Sequence, residues 1–488
     1  VAVIDPDDIA ATVQRMWLLH QEELANFDNI HEYVKGRRGK PSLPESADSE
    51  IREIRDKCVH NVLTLVLDAF VQNLSVVGYR NSQSDSNADG WDRWQANQMD
   101  ARQAEIYHSA VKYGVGYVVR APRDGESIFK VRSPRQLIAV YEDPQIDRWP
   151  QYALETWMDN SDAKPTRKGM FYDDMFMYPL DLGDLPSPPI EGADQVKRHH
   201  LTVTTVGEPV PHGSRYKGGP VCPVVRYVNR RDAEDLVEGE IERLIPDQKV
   251  INEVNFDRLI VARFGAFPQK VISNWVGITK DKALEISARK LWTFEDDVKA
   301  QHFPAASLDP YNGLIQGLME HVATRAQVSP ASVVGKMVNL SAEALAAAEA
   351  NQQRKLDAMR ESHGESHEQL LEMEQESSGG SVDDAAEVVW KDTEARSFAA
   401  IVDGVVKIGQ ALATGAPITP LLPLVPGLTQ QMINALEQQA RLSRTAAILN
   451  GLNRRPEVAN GFGDGAQVPA VPGGPVGGNG TESTLVER

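Results

Sequence analysis

The chain has 488 residues and a net charge of −18, with 41% hydrophobic and 25% charged residues. That length holds several hydrophobic cores, about two to four structural units, and the ordinary apolar content predicts that most of it folds. The acidic balance argues against a repressor, a histone-like protein or a DNA-bound nuclease, because static grip on duplex DNA draws on neutralised phosphates. It is compatible with a surface past which DNA slides, and with an ordinary acidic enzyme.

The two cysteines, Cys58 and Cys222, lie far apart without metal-ligand or CxxC spacing and read as small buried side chains in a reducing compartment. The sequence shows no charged-then-apolar leader and no apolar run of the roughly 18–20 residues that a bilayer requires. The expectation is a soluble protein, intracellular where it is made.

In chain order, a helix is expected over Asp7–Tyr33, where Ile9, Val13, Met16/Trp17 and Leu24 recur at helical spacing up to a basic, Pro-containing loop at Lys35–Pro44. Helices are expected over Ser49–Leu74 and over Asp89–Tyr113, the latter stopped by Gly114. Strand character follows at Val115–Ala121 and Ser127–Arg132, joined by the turn pair Asp124-Gly125. Further strands are expected at Leu137–Tyr141, Tyr152–Met158, Phe171–Tyr178, Leu201–Val206 and Val221–Val228, with a Pro- and acid-rich loop at Asp181–Pro189.

The second half reads as largely helical. Pro246 suits the start of a helix that continues through Val250, Val254, Val261 and Phe264 to Gly265. A mixed segment, Ala266–Phe303, precedes a helix over Leu308–Val328 and a loop over Ser329–Leu340. A long helix then runs from Ser341 to Glu376, favoured by an alanine run and by Glu343 near its positive end. At 1.5 Å per residue it is about 55 Å long. Two more helices, Asp383–Ala413 and Thr429–Leu452, bracket a Pro-rich hinge at Pro417–Pro426. From Pro456 to Arg488 glycine and proline predict a disordered tail.

Catalytic signals are thin. The sequence has no GxxxxGK[ST] loop and no GxGxxG between strand and helix; Tyr113-Gly114-Val115-Gly116 leads into a strand. His363 and His367 share a helix face, but Glu368 follows the second histidine instead of following the first, so they read as solvated or inter-subunit histidines. His199-His200 lies beside a strand and cannot easily aim both rings at one ion. The acidic pairs Asp173-Asp174, Asp296-Asp297 and Asp383-Asp384 are dispersed, unlike a two-metal nuclease site. Trp91 and Trp94 have core spacing more than that of a base-stacking platform. No metal or cofactor is expected.

Several stretches in order carry a resemblance: Tyr113–Val119, Gly219–Asn229, Glu238–Gln248 leading to Ala262–Lys270, Val328–Gly335, and Leu340–Ala350. Together they resemble the portal (head-to-tail connector) proteins of long-tailed phages, especially of actinobacterial phages, over about residues 5–455. The resemblance implies a non-enzymatic, predominantly helical α+β subunit of a ring, usually a dodecamer of about twelve copies. It assigns a wing to 1–235, a first stem helix to 236–265, a clip to 266–306, a second stem helix to 307–328, a tunnel loop to 329–340, the long wing helix to 341–378 and a helical crown to 379–455. It implies that Val333, Val334, Lys336 and Asn339 of the tunnel loop touch DNA, and that Phe267, Lys270, Trp275 and Trp292 of the clip serve docking. The implied partners are further copies of the chain, double-stranded DNA, the terminase large subunit, a head–tail adaptor, and the major capsid and scaffolding proteins. The implied location is the virion vertex, and the host cytoplasm during assembly. Rival readings are another minor virion protein, a DNA-processing enzyme, and an acidic cellular scaffold.

Overall fold

The computed structural model describes residues 6–81, 90–161, 165–184, 201–234, 237–265, 270–273, 299–302, 307–335 and 342–391, all within one compact unit, Val1–Asn434. The first third is built from α1 (Pro6–Val34), α2 (Ser49–Lys57), α3 (Leu63–Val71), β1 (Val76–Arg80), α4 (Trp91–Ala96) and α5 (Met99–Tyr113). Strands follow: β2 (Val115–Arg123), β3 (Glu126–Arg132), β4 (Leu137–Val140), β5 (Tyr152–Asp159), β6 (Thr166–Tyr172), β7 (Phe176–Asp184), β8 (Thr204–Thr205), β9 (Val210–Pro211), β10 (Arg215–Tyr216), β11 (Gly219–Pro220) and β12 (Val224–Val228). The remainder comprises α6 (Ile245–Gly265), β13 (Lys270–Ser273), β14 (Lys299–His302), α7 (Asp309–Ala326), α8 (Pro330–Val334), α9 (Ala342–Ser377) and β15 (Glu387–Trp390). The fold is α+β, as expected.

Alternating side chains make each sheet two-faced, and the faces stack in layers. The antiparallel sheet β12–β2–β3 turns Val115, Tyr117, Val119 and Val224 toward Leu137, Ala153 and Tyr172 of a larger sheet ordered β4–β5–β6–β7–β8. The far face of the larger sheet, with Leu154, Phe171 and Tyr178, packs on Ile9, Val13, Met16 and Trp17 of α1. The far face of the smaller sheet, with Val118, Phe129, Val225 and Tyr227, packs on Trp91 and Trp94 of α4 and on Leu370, Leu371 and Met373 of α9. A fourth core is helical and joins the second half of α1 to α3, α5, α6, α7, α8 and α9. The turn between β2 and β3 has positive φ at both Asp124 (53°) and Gly125 (84°), as a two-residue hairpin requires.

Several expected elements divide. The helix expected over Ser49–Leu74 breaks at residues 58–62, and its second part ends at Val71. Gln248, Asn252 and Asn255, on one face of α6, supply partners for the backbone freed there. The Gln248 amide donates to the His60 carbonyl (2.8 Å) and accepts from the Val62 N–H (3.0 Å), Asn252 accepts from the His60 N–H (3.0 Å), and Asn255 donates to the Cys58 carbonyl (2.7 Å). The helix expected over Asp89–Tyr113 breaks at Asn97-Gln98. There Asn97 accepts from the Phe129 N–H (2.8 Å) and donates to the Ser127 carbonyl (3.2 Å), pairing with β3 as a further strand would.

The single strand expected at Phe171–Tyr178 is a hairpin, β6–β7. Asp173 closes it, accepting from the N–H groups of Met175 (2.7 Å) and Phe176 (2.5 Å) and from the Tyr178 hydroxyl (2.8 Å). Within Leu201–Val206 only β8 is strand. Glu387–Trp390, expected inside the helix Asp383–Ala413, is strand β15 and pairs antiparallel with β1, which the sequence pattern did not reveal. The rest of that helix beyond Lys391, the helix Thr429–Leu452, the hinge Pro417–Pro426 and the tail from Pro456 lie outside the described residues.

Where α5 ends, Gly114 takes φ 92° and the segment before α6 crosses directly over it. Glycine is required on both sides of that crossing. A Cβ on Gly239 would sit 2.4 Å from the Lys112 carbonyl oxygen and 2.9 Å from the Gly114 nitrogen, and neither backbone can swing aside. Gly239→Ala is expected to cost about 1–3 kcal/mol, read as a lowered urea midpoint. Gly313→Ala on α7 meets nothing within 4 Å and is the matched control, expected to be neutral or stabilising. Equal midpoints for the two variants would refute the close crossing.

Candidate functional site

The candidate stretches that the structure describes are α6, α7 and the turn toward α9. Each of α6 and α7 opens with a proline in its first turn, Pro246 and Pro310, where the missing N–H has no intrahelical partner to lose. The helices pack on each other and are tied by Arg325 to Asp247 (2.5 Å) and Arg258 to Asn312 (3.0 Å). At their core ends Ile251, Val322, Ala323 and Ala326 are fully buried. Away from it apolar side chains are left uncovered: Phe264 is 44% exposed and Leu314 52%. Beyond α6 and before α7, β13 and β14 pair antiparallel, with Lys270 opposite His302. Phe267, Trp275 and Trp292 lie outside the described residues, so of the four expected docking residues the structure places only the backbone of Lys270.

The segment expected as a loop over 329–340 begins as a helix. Ser329 precedes Pro330 at the start of α8, and Gly335, with φ 70°, ends it, a start and stop that this order of residues favours. Val333 therefore does not point from an open loop. It is 3% exposed and packed in the helical core, while Val334 is half-buried. Lys336 and Asn339 lie outside the described residues. The buried Gln352 of α9 secures the turn, accepting from the Ser329 N–H (3.0 Å) and donating to the Ala69 carbonyl of α3 (3.0 Å).

Lys355, one helical turn along, reaches the roots of both α6 and α7. Its ammonium donates to Glu240, just before α6 (2.5 Å), and to the Ala326 carbonyl that ends α7 (2.9 Å). Burial holds that ammonium down at about 8 even though Glu240 opposes the shift. At the other end of α9, Glu374 accepts from Arg120 (2.6 Å) and Ser127 (2.5 Å) of the β2–β3 hairpin. Sequence reasoning missed Gln352, Lys355 and Glu374. The available signal was a polar residue interrupting the apolar stripe of a long helix.

His363 and His367 of α9 are not solvated. Both are fully buried among Trp94, Tyr107, Tyr227 and Trp390. His367 lies 2.8 Å from the Tyr107 hydroxyl and 3.1 Å from that of Tyr227. Tyr107 donates its proton to Gln103, so it accepts from His367 Nε2 while Tyr227 donates to Nδ1, a neutral ring. Burial pushes His363 down to about 3 and His367 well below its ordinary value. Trp91 and Trp94 are buried and stacked at 5.5 Å.

Among the described residues no three histidine, cysteine or acidic side chains group as a metal site, and no helix is long and apolar enough to cross a membrane. Asp173 closes its hairpin, Asp384 pairs with Lys217 at 3.1 Å, and burial raises both thiols, Cys58 and Cys222. His199-His200 and Asp296-Asp297 lie outside the described residues. The arrangement ties the helix pair to the layered body through Gln352, Lys355 and Glu374 of α9.

A family model described as phage portal protein, SPP1 Gp6-like, matches residues 15–443. Among solved structures, a chain from the neck of an empty GTA particle computed with C6 symmetry is similar at a TM-score of 0.42 and 11% identity, over 77% of this chain and 93% of that one. No curated protein matches the sequence.

Proposed function

The chain belongs to the SPP1 Gp6-like phage portal protein family, which is structural and not enzymatic, and on that premise we propose that about twelve copies close into a ring at one capsid vertex. The ring is the channel through which DNA is packaged and later ejected. The observation that carries this reading is the family match over residues 15–443. Supporting it are the half-exposed Phe264 and Leu314 on the helix pair, apolar surface that neighbouring copies would cover.

In this reading α6 and α7 are the stem, residues 266–306 the clip, 329–340 the tunnel loop, and residues 1–235 with α9 the wing. The crown occupies 379–455, its first described stretch, β15, being tied back to β1. The clip, with Phe267, Lys270, Trp275 and Trp292, docks the terminase and the head–tail adaptor. Packaging energy comes from the terminase. The portal guides: twelve chains at −18 carry very roughly two hundred negative charges, and those lining the channel repel phosphates and keep DNA mobile. Val334, Lys336 and Asn339 meet the passing duplex, and the buried Val333 anchors the loop that presents them.

Native mass spectrometry with negative-stain imaging tests the reading. A closed ring of about twelve subunits with a central hole wide enough for duplex DNA is the expected result. Persistent monomers or dimers, in the presence of scaffolding and capsid partners as well, would overturn it.

A further inference from the structure

The last turn of α5 sends Lys112 into a cleft of about 1060 Å³ bounded by α1, α3, α5 and the β5–β6 hairpin. The side chain is only 8% exposed. Its ammonium donates to His31 Nδ1 at 2.9 Å and lies 4.7 Å from the centre of the Tyr113 ring, and among the described residues no carboxylate is within ion-pairing distance of it. An ammonium held out of water without an anion is costly. Burial, together with Arg135 and Lys35 nearby, holds Lys112 down at about 8 against the weaker opposing charge of Glu32, and burial with the charges of Lys112 and Arg135 holds His31 at about 4 and so neutral.

The neighbouring cations do not relieve this. Arg135 is already spent on Asp28 (2.7 Å), and Arg167 stacks over Trp17 at 4.3 Å. The cleft thus gathers positive charge with one deep, unpaired ammonium at its floor. Its lip is apolar on one side, where Trp157 and Met158 are each 38% exposed. It is acidic elsewhere, with Asp28, Asp68 and Glu105 in the wall. Those carboxylates disfavour an extended polyanion such as DNA more than one carboxylate, which meets Lys112 from the apolar side away from Asp68 and Glu105. Each chain carries 69 acidic against 51 basic residues, so a neighbouring copy offers carboxylates in excess of its own cations.

We infer that this cleft receives a carboxylate-bearing segment of a second copy of the chain, the carboxylate pairing with Lys112 and an adjacent apolar side chain resting on Trp157 and Met158. The inference rests on the ring reading for its supply of neighbouring copies. It adds a specific contact between them, one that neutralises a charge the subunit alone leaves buried.

The test uses the full chain. Lys112→Met keeps the length of the side chain and removes the charge. The isolated variant subunit is expected to melt no lower than wild type, whereas its rings dissociate about 30-fold or more readily by native mass spectrometry over a dilution series. In parallel, the Lys112 amine of wild type is acylated with a small amine-reactive reagent, and protection in the ring relative to the subunit is expected. If the variant subunit melts lower and so confuses the first readout, the acylation rates decide. Equal acylation in ring and subunit, or variant rings as stable as wild type, overturns this inference and leaves the ring reading standing. Wild-type protein that never associates overturns both. Protection of Lys112 in the subunit by added duplex DNA would reassign the cleft to phosphate.

Discussion

Glu374→Leu is expected to cost about 3–5 kcal/mol of folding stability, the range seen when one partner of a buried ion pair is removed. Glu374 is 2% exposed and Arg120 7%, and they meet at 2.6 Å where the end of α9 crosses the β2–β3 hairpin. Arg120 also donates to the His212 carbonyl (3.1 Å) and the Ser214 hydroxyl (3.3 Å), and Ser127 donates to Glu374 (2.5 Å). Without the carboxylate the guanidinium stays buried with neutral partners only. The double variant Glu374→Leu/Arg120→Met takes away both charges and is expected to lose much less than the single, because the desolvation of the guanidinium is removed along with the attraction. Urea unfolding of wild type, both singles and the double closes the cycle. A single-variant loss below about 1 kcal/mol, the value of an exposed pair, would mean that water reaches this junction.

That junction also explains why much of the body was hidden in the sequence while the helix pair was legible. The bounds of α6, α7 and α9 follow from local signals: a proline in the first turn, a glycine at the end, an alanine run. The β2–β3 hairpin follows from Asp124-Gly125. The breaks at residues 58–62 and at Asn97-Gln98 do not, because the side chains that stabilise them come from elements distant in sequence, Gln248 to Asn255 in one case and a β3 edge in the other. The strand state of Glu387–Trp390 likewise depends on β1, about three hundred residues earlier.

The long helix inverts the usual inference from polarity to exposure. Its second half is rich in Ser, His, Gln and Glu, and periodicity reads such a helix as solvated. It is buried between the smaller sheet, α4, α5 and the β1–β15 pair, and some of its polar groups find backbone partners: Ser366 donates to the Arg226 carbonyl (2.9 Å) and Gln369 to that of Arg148 (2.6 Å). Of the candidate site, the motif Val328–Gly335 was legible as a marked stretch. Its helical turn and the burial of Val333 were not, since both depend on Gln352 and the helical core. The family itself was legible, because ordered short motifs survive where contact patterns cannot be read.

Acid is expected to unfold this chain well before its carboxylates are titrated, and His363 is the residue to test. It is fully buried, 5.6 Å from the ring of Tyr107 and 6.4 Å from that of Tyr227, and among the described residues neither of its ring nitrogens has a hydrogen-bond partner. Burial first, then the charge of Arg231, holds it at about 3, against about 6.5 in an unfolded chain. Between those values the unfolded chain binds the proton and the folded chain does not. Stability is therefore complete above about pH 6.5 and falls as the pH is lowered toward 3. At 1.36 kcal/mol per unit, such a histidine costs about 2 kcal/mol by pH 5. His367 shifts in the same direction, and burial also depresses His20 and His212, each to about 4. Glu368 and Glu372, raised by burial on the same helix, work against the trend by taking up protons in the folded state. His363→Leu removes both the titration and two unsatisfied polar atoms, so it is expected to be about 1 kcal/mol more stable than wild type at pH 7 and to lose less between pH 7 and 5. Parallel pH profiles for variant and wild type would mean that His363 takes its proton without unfolding, and that α9 can open locally around its histidines while the sheets beside it stay closed.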